Sequence, residues 1–215
     1  MSFRTCLVAA AVAAAASSFA AAPAVAQELA LKGGIAVSRF EIKGSEVFDG
    51  SITSTVMGGH YRRHFGPVAV QPELYMISRG ATFAVEGNEE RVKLEYLEIP
   101  VLLVVPVRVG PLEPYGFAGP WIGLETRCRY TYEEAGLKTN LGCESTSDMF
   151  DRRALDYGFT AGGGASYPIG SGRLMLEARH TRGLRDIYDG EGDPEVRNRS
   201  FVAMIGYTLR LNLSN

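Results

Sequence analysis

Apolar residues recur at every second position over long stretches of the chain, most clearly in its last third. Phe201, Ala203, Ile205, Tyr207, Leu209, Leu211 and Leu213 share one parity, while Ser200, Gly206, Thr208, Arg210, Asn212 and Ser214 share the other with Val202 and Met204. A period of two predicts a strand with one oily and one mainly polar side. Upstream, Leu174, Leu176, Ala178 and His180 alternate with Arg173, Met175, Glu177, Arg179 and Thr181. Between Ala154 and Tyr167, Leu155, Tyr157, Phe159, Ala161, Gly163, Ala165 and Tyr167 oppose Asp156, Gly158, Thr160, Gly162, Gly164 and Ser166. Five earlier segments are noisier but compatible. Leu31, Ile35 and Val37 oppose Lys32, Gly34 and Ser38; Met57, Tyr61 and Phe65 oppose Ser54, His60 and His64. Val68, Val70, Leu74 and Met76 oppose Gln71, Glu73 and Tyr75; Leu97, Ile99, Val101, Leu103 and Val105 oppose Tyr96 and Glu98. Tyr115, Phe117 and Trp121 share one parity of Pro114 to Tyr130. About eight strands are expected on this pattern.

The connections add direction. Gly66-Pro67, Gly110-Pro111 and Pro168-Ile169-Gly170-Ser171-Gly172 are tight-turn chemistry, whereas Glu41 to Ser51, Phe83 to Arg91, Thr131 to Arg153 and Asp186 to Asn198 are longer and charged. Short and long links alternate, as in an up-and-down barrel with short turns at one end and long loops at the other. Parity alone leaves two barrels open: a membrane barrel with its oily side outward, or a soluble one with its oily side inward, holding an apolar ligand. Two features favour the membrane form. Glycines and the charged Glu73, Glu98, Arg173, Glu177 and Arg179 share the less oily faces, as suits a narrow polar interior of paired charges. Phe40, Tyr61, Phe65, Tyr115, Phe117, Trp121, Tyr157, Tyr167 and Tyr207 lie near strand ends, where aromatic girdles form. The fold expected is therefore an all-β, eight-stranded antiparallel up-and-down transmembrane barrel, with oily residues facing lipid and glycines and arginines filling the middle.

Composition then narrows the class. The 215 residues are 46% hydrophobic with 25 glycines and a formal net charge of -2, too apolar for a disordered chain and too near neutral for a nucleic-acid partner. The apolar content is uneven: Met1 to Ala26 is alanine-rich, carries Arg4 and ends Ala24-Val25-Ala26. A basic start, a short apolar centre and a small-x-small site predict a signal peptide over residues 1–26, removed to leave a barrel domain at 27–215. After it no apolar run reaches the roughly 18 residues of a membrane helix. Outer-membrane lipid is the partner such a barrel requires.

The runs Val70-Gln71-Pro72-Glu73-Leu74-Tyr75, Tyr96-Leu97-Glu98-Ile99-Pro100-Val101-Leu102-Leu103 and Pro114-Tyr115-Gly116-Phe117-Ala118-Gly119-Pro120 resemble the PorT-type outer-membrane β-barrel family. Gly162-Gly163-Gly164-Ala165-Ser166-Tyr167-Pro168, Leu176-Glu177-Ala178-Arg179-His180 and Gly206-Tyr207 extend the likeness over the last third. The resemblance implies an eight-stranded barrel in the outer membrane of a Gram-negative-type bacterium, placed there by the barrel-insertion machinery. Barrels of this kind commonly finish on an aromatic residue, whereas this chain ends Leu211-Asn212-Leu213-Ser214-Asn215.

Candidate chemistry is sparse. Cys128 and Cys143 fall at or inside the longest connection, where an oxidising compartment permits a disulfide. His60 and His64 share a face but lie roughly 13 Å apart on a strand, too far for one ion. With Arg62 and Arg63, His64 suits a polar rim near Gly66-Pro67 that meets lipid headgroups. Asp189, Glu191, Asp193 and Glu195 read as a solvated loop rather than a calcium site. Gly162-Gly163-Gly164 sits inside a strand pattern and does not predict phosphate binding. Glu73, Glu98, Arg173, Glu177 and Arg179 read as an ion-pair network before a catalytic set, because buried charges must be paired. No metal, cofactor or catalytic residue is expected. The expected role is a membrane-anchored structural or recognition module whose long loops present a surface to an envelope or extracellular protein. A lipid-modifying outer-membrane enzyme using His60, Glu177 and His180 is the alternative from another class.

Overall fold

A computed structural model of the chain describes residues 27–42, 50–85, 88–134, 137–143, 153–187 and 195–211. The expected signal peptide, Asp189, Glu191, Asp193 and the last four residues lie outside them. The described residues form β1 (Gln27–Ile42), β2 (Gly50–Phe65), β3 (Val68–Val85), β4 (Asn88–Pro106), β5 (Glu113–Glu134), β6 (Leu137–Gly142), β7 (Leu155–Ile169), β8 (Gly172–Gly183) and β9 (Val196–Leu211). Neighbours pair antiparallel in the order β4-β3-β2-β1-β9-β8-β7-β5-β6, and β4 also pairs with β5. Eight strands thus close a barrel, and β6 hangs from the far end of β5. The seam is a long ladder from Gln27↔Leu211 to Ile42↔Val196.

Parity sorts the faces as the sequence pattern predicts. Outside, Leu31 is 75% exposed and Ile35, Met57, Leu103, Phe159, Leu176 and Ile205 are all more than half exposed. Inside, Glu28, Lys32, His60, Arg62, Gln71, Glu73, Arg79, Glu98, Glu177 and Arg179 are buried. A soluble barrel would place these sets the other way round, so the apolar-ligand alternative is overturned by the direction of the side chains.

Three expectations are corrected. Phe40, Tyr115, Phe117 and Trp121 do not join an outer girdle; each is at most 5% exposed and fills the interior. Glycines on the facing strand make the room: a Cβ on Gly162 would lie 2.6 Å from the Phe117 ring, and one on Gly164 would lie 2.6 Å from Tyr115. Phe65, Tyr157, Tyr167 and Tyr207 remain outward. Second, the interior is not all glycine and charge. Phe40, Val56, Ile77, Val92, Leu94, Tyr96, Ile187 and Val202 pack into one apolar cluster, and Ala69, Leu102, Val104, Phe117 and Met175 into another. Third, Phe83 to Arg91 is not a long loop. β3 and β4 run to Val85↔Asn88, and β5 continues to Glu134 before turning into β6. Charge on adjacent positions, as in Glu90-Arg91, breaks the alternation there and disguises strand as loop.

At the opposite end the links are tight, and Gly66 and Gly170 adopt φ of 64° and 60°, the left-handed region that glycine enters without a steric penalty. Both ends of the described chain lie at this short-turn end, with Gln27 beside Arg63 and Leu211.

Candidate functional site

Two places concentrate polar chemistry: the barrel interior and the strand extension above its long-loop end. Strand alternation carries inward side chains of β1, β3 and β8 to one level of the interior. There Lys32 Nζ lies 2.6 Å from Glu73 Oε1 and 3.3 Å from Glu177 Oε1. Arg179 donates to Glu73 Oε2 at 2.7 Å and also to Glu177 Oε1. All four side chains are fully buried. Gln71 Nε2 donates to Glu73 at 2.6 Å, and Arg62 Nε donates to Gln71. The guanidinium of Arg179 stacks 5.0 Å from the Phe117 ring centre and that of Arg62 4.7 Å from Tyr115. Two cations against two carboxylates leave the central cluster neutral, which is the condition for burying such groups.

Nearer the long loops, Arg79 Nη2 meets Glu98 Oε1 at 2.7 Å and stacks 4.6 Å from the Trp121 ring. Asn198 donates to Asp156 Oδ2 at 2.7 Å. Nearer the short turns, Glu28 gathers Arg62 at 3.7 Å, His64 at 3.8 Å and Arg210 at 3.5 Å.

Of the residues singled out in the sequence, Glu73, Glu177 and Arg179 meet directly, while Glu98 pairs with Arg79 higher up. Arg173 stands apart: it sits at the short-turn rim, donating to the Ser166 hydroxyl at 2.8 Å and to the Pro111 carbonyl at 3.3 Å. At the start of β8 the inward parity opens toward water, so membership of the polar face does not secure membership of the cluster. Lys32, Arg62, Gln71 and Arg79 were not singled out as members. Their signal was available, since Gln71 and Arg79 share the parity of Glu73 on one strand and Lys32 occupies the polar parity of β1. Arg62, expected at a headgroup-facing rim, turns inward and is 3% exposed.

His60 is buried inside the barrel, Glu177 is held by the central ion pairs, and His180 faces outward, where its Nε2 accepts from Arg199 at 3.0 Å. These three groups do not converge as the enzymatic alternative requires. Among the described residues no three His, Cys, Asp or Glu side chains assemble as metal ligands.

At the other end, Cys128 and Cys143 form a disulfide with Cα atoms 5.5 Å apart. It closes the base of the β5–β6 hairpin, just below the Arg129↔Gly142 pair. A cavity of about 500 Å³ opens beside it, lined by Thr126, Arg127, Arg129, Asn140 and Leu141 along with the two cysteines.

The family described as outer membrane protein beta-barrel domain matches residues 25–189 of the sequence. The chain belongs to that family. The chain is also similar to solved structures at low identity. Neisserial surface protein A is 11% identical, with a TM-score of 0.47 over 84% of this chain and 95% of that one. The attachment invasion locus protein of Yersinia pestis is 15% identical, with a TM-score of 0.43 over 85% and 99%. Outer membrane protein W of Escherichia coli is 13% identical, with a TM-score of 0.45 over 88% and 100%. No curated protein matches the sequence. The short-turn end is accordingly the periplasmic end, and the extension with its disulfide faces outward from the cell.

Proposed function

We propose that this outer-membrane barrel is a non-enzymatic recognition module of the PorT type. It is exported by a signal peptide cleaved after Ala26 and presents the β5–β6 hairpin to a protein outside the cell or in the envelope. The observation that carries this reading is the disulfide-closed hairpin: an edge strand raised above the lipid belt and fixed by Cys128–Cys143, beside a polar cavity. A binding surface gains affinity when it is ordered before the partner arrives, and a cross-link supplies that order. The interior supports an anchor rather than a channel, because Arg79, Arg179, Tyr75, Tyr96, Leu94, Leu102 and Met175 fill it as fully buried side chains.

The test compares the intact chain with one in which residues 130–141 are replaced by a short glycine turn. Both are crosslinked on whole cells, and the mature N-terminus is read by mass spectrometry. Crosslinked partners present with the intact hairpin and lost with the shortened one, on a chain starting at Gln27, are expected. An unchanged partner profile sinks the role of the hairpin. A chain retaining Met1 to Ala26 sinks the cleavage.

A further inference from the structure

The lipid-facing wall formed by β1, β9 and β8 carries a feature that neither the barrel nor the hairpin explains. Cross-strand register places Arg39 beside Arg199, and Arg199 beside Arg182, in a single row at the extracellular end of the oily belt. His180 lies next to the row, and its Nε2 accepts from Arg199 Nε at 3.0 Å. Glu41 brings a negative charge to the row through Arg182 at 2.7 Å. Like charges set directly across neighbouring strands repel one another. Adjacent strands are about 4.8 Å apart, so the three arginines span roughly 10 Å.

Immediately membraneward, the same wall is hollowed. Gly163, Ala165, Ala178 and Ala203 expose little side chain between the larger Ile35, Leu176 and Ile205, leaving an apolar groove of about 520 Å³. Phe201, 54% exposed, stands between groove and row. One ligand chemistry meets both features: phosphate for the guanidiniums, which bind it with paired donors, and a hydrocarbon chain for the groove.

We propose that this wall is a binding site for an anionic lipid of the outer leaflet whose headgroup carries more than one phosphate. The phosphates lie across Arg39, Arg199 and Arg182, and one acyl chain lies along Ala178 and Ala203. The inference rests on the outer-membrane reading and adds the class of lipid and the face that holds it. Soluble phosphorylated saccharide offers the same charge without the chain, and the groove favours the lipid.

The test uses the full mature chain folded into phosphatidylcholine nanodiscs, titrated with a fluorescent glycolipid bearing two phosphates. A heat-modifiable gel shift confirms folding of every variant. Replacing Arg39, Arg182 and Arg199 together by Gln is expected to weaken binding at least tenfold. Replacing Arg91 and Lys93 by Gln, on β4 across the barrel, is expected to change it less than twofold. Ala178→Leu with Ala203→Leu fills the groove and is expected to weaken the glycolipid while leaving its deacylated headgroup, already at least tenfold weaker, unchanged. Equal binding of glycolipid and deacylated headgroup overturns the lipid site, as does an equal loss in the β4 variant. A chain that fails to insert at all refutes the membrane reading itself. Intact insertion without selective binding refutes only this inference.

Discussion

Arg179 is the cation on which the interior depends, and Arg179→Met tests that dependence. The change removes the donors to both Glu73 and Glu177 while keeping a long apolar stem against Phe117 and Tyr75. Lys32 is then the one cation still paired with both carboxylates, in a setting with no solvent exposure. Breaking a buried pair by removing one partner costs about 3–5 kcal/mol, because the remaining charge is desolvated without compensation. With a urea dependence of about 2 kcal/mol per molar, the unfolding midpoint should fall by about 1.5–2.5 M. Adding Glu177→Gln restores a one-to-one balance between Lys32 and Glu73 and should recover roughly 2 kcal/mol, the upper range of coupling between contacting residues. Trp121 supplies the signal: it is the chain's single tryptophan, is 2% exposed, and lies in the barrel interior. Its fluorescence is followed through urea unfolding from lipid vesicles. A single variant within about 0.3 M of the parent, or a double variant no better than the single, would refute the reasoning that charge balance governs this core.

Three further outcomes follow from other parts of the molecule. Val101 is 45% exposed at the centre of the outward run Leu97 to Val105, so Val101→Arg should cost about 2–4 kcal/mol in vesicles, and a neutral result on urea titration would contradict lipid contact. Gly164→Val sets a Cβ 2.5 Å from the Leu176 carbonyl and 2.6 Å from Tyr115, whereas Gly142→Ala meets nothing within 4 Å. Only the first should lose the heat-modifiable folded band, with overpacking of about 1–3 kcal/mol. Cys143→Ser opens a loop of separation 15 and should loosen the hairpin by roughly 3 kcal/mol, read as faster trypsin cleavage at Arg129 or Lys138, while the Trp121 unfolding midpoint stays fixed.

The barrel was legible in the sequence wherever lipid touches one face and side chains the other, because that asymmetry imposes strict alternation. Phe201 to Leu209 and Leu155 to Tyr167 show it plainly. It faded where the environment is the same on both sides. Val92 and Leu94 face inward to an apolar cluster although their strand also carries outward Leu97 and Ile99, so the inner core could not be separated by hydrophobicity. A register shift between Glu95 and Tyr96 changes the parity along β5: Trp121 and Gly123 point in, and beyond the shift Cys128 and Tyr130 take the inner side. No local pattern announces such a bulge. The charged residues were visible one by one, but their grouping depends on stagger between strands remote in sequence. Lys32 and Glu177 are 145 residues apart and meet only after closure.

That closure also constrains how the chain enters the bilayer. Because β1 is hydrogen-bonded to β9 along the ladder from Gln27↔Leu211 to Ile42↔Val196, the first strand has no partner on that side until the last has been made. A partly assembled sheet would hold two rows of bare backbone donors and acceptors against hydrocarbon, where nothing replaces water. The final strand thus removes both open edges at once, and a chain truncated before Val196 would leave the β9-facing edges of β1 and β8 bare.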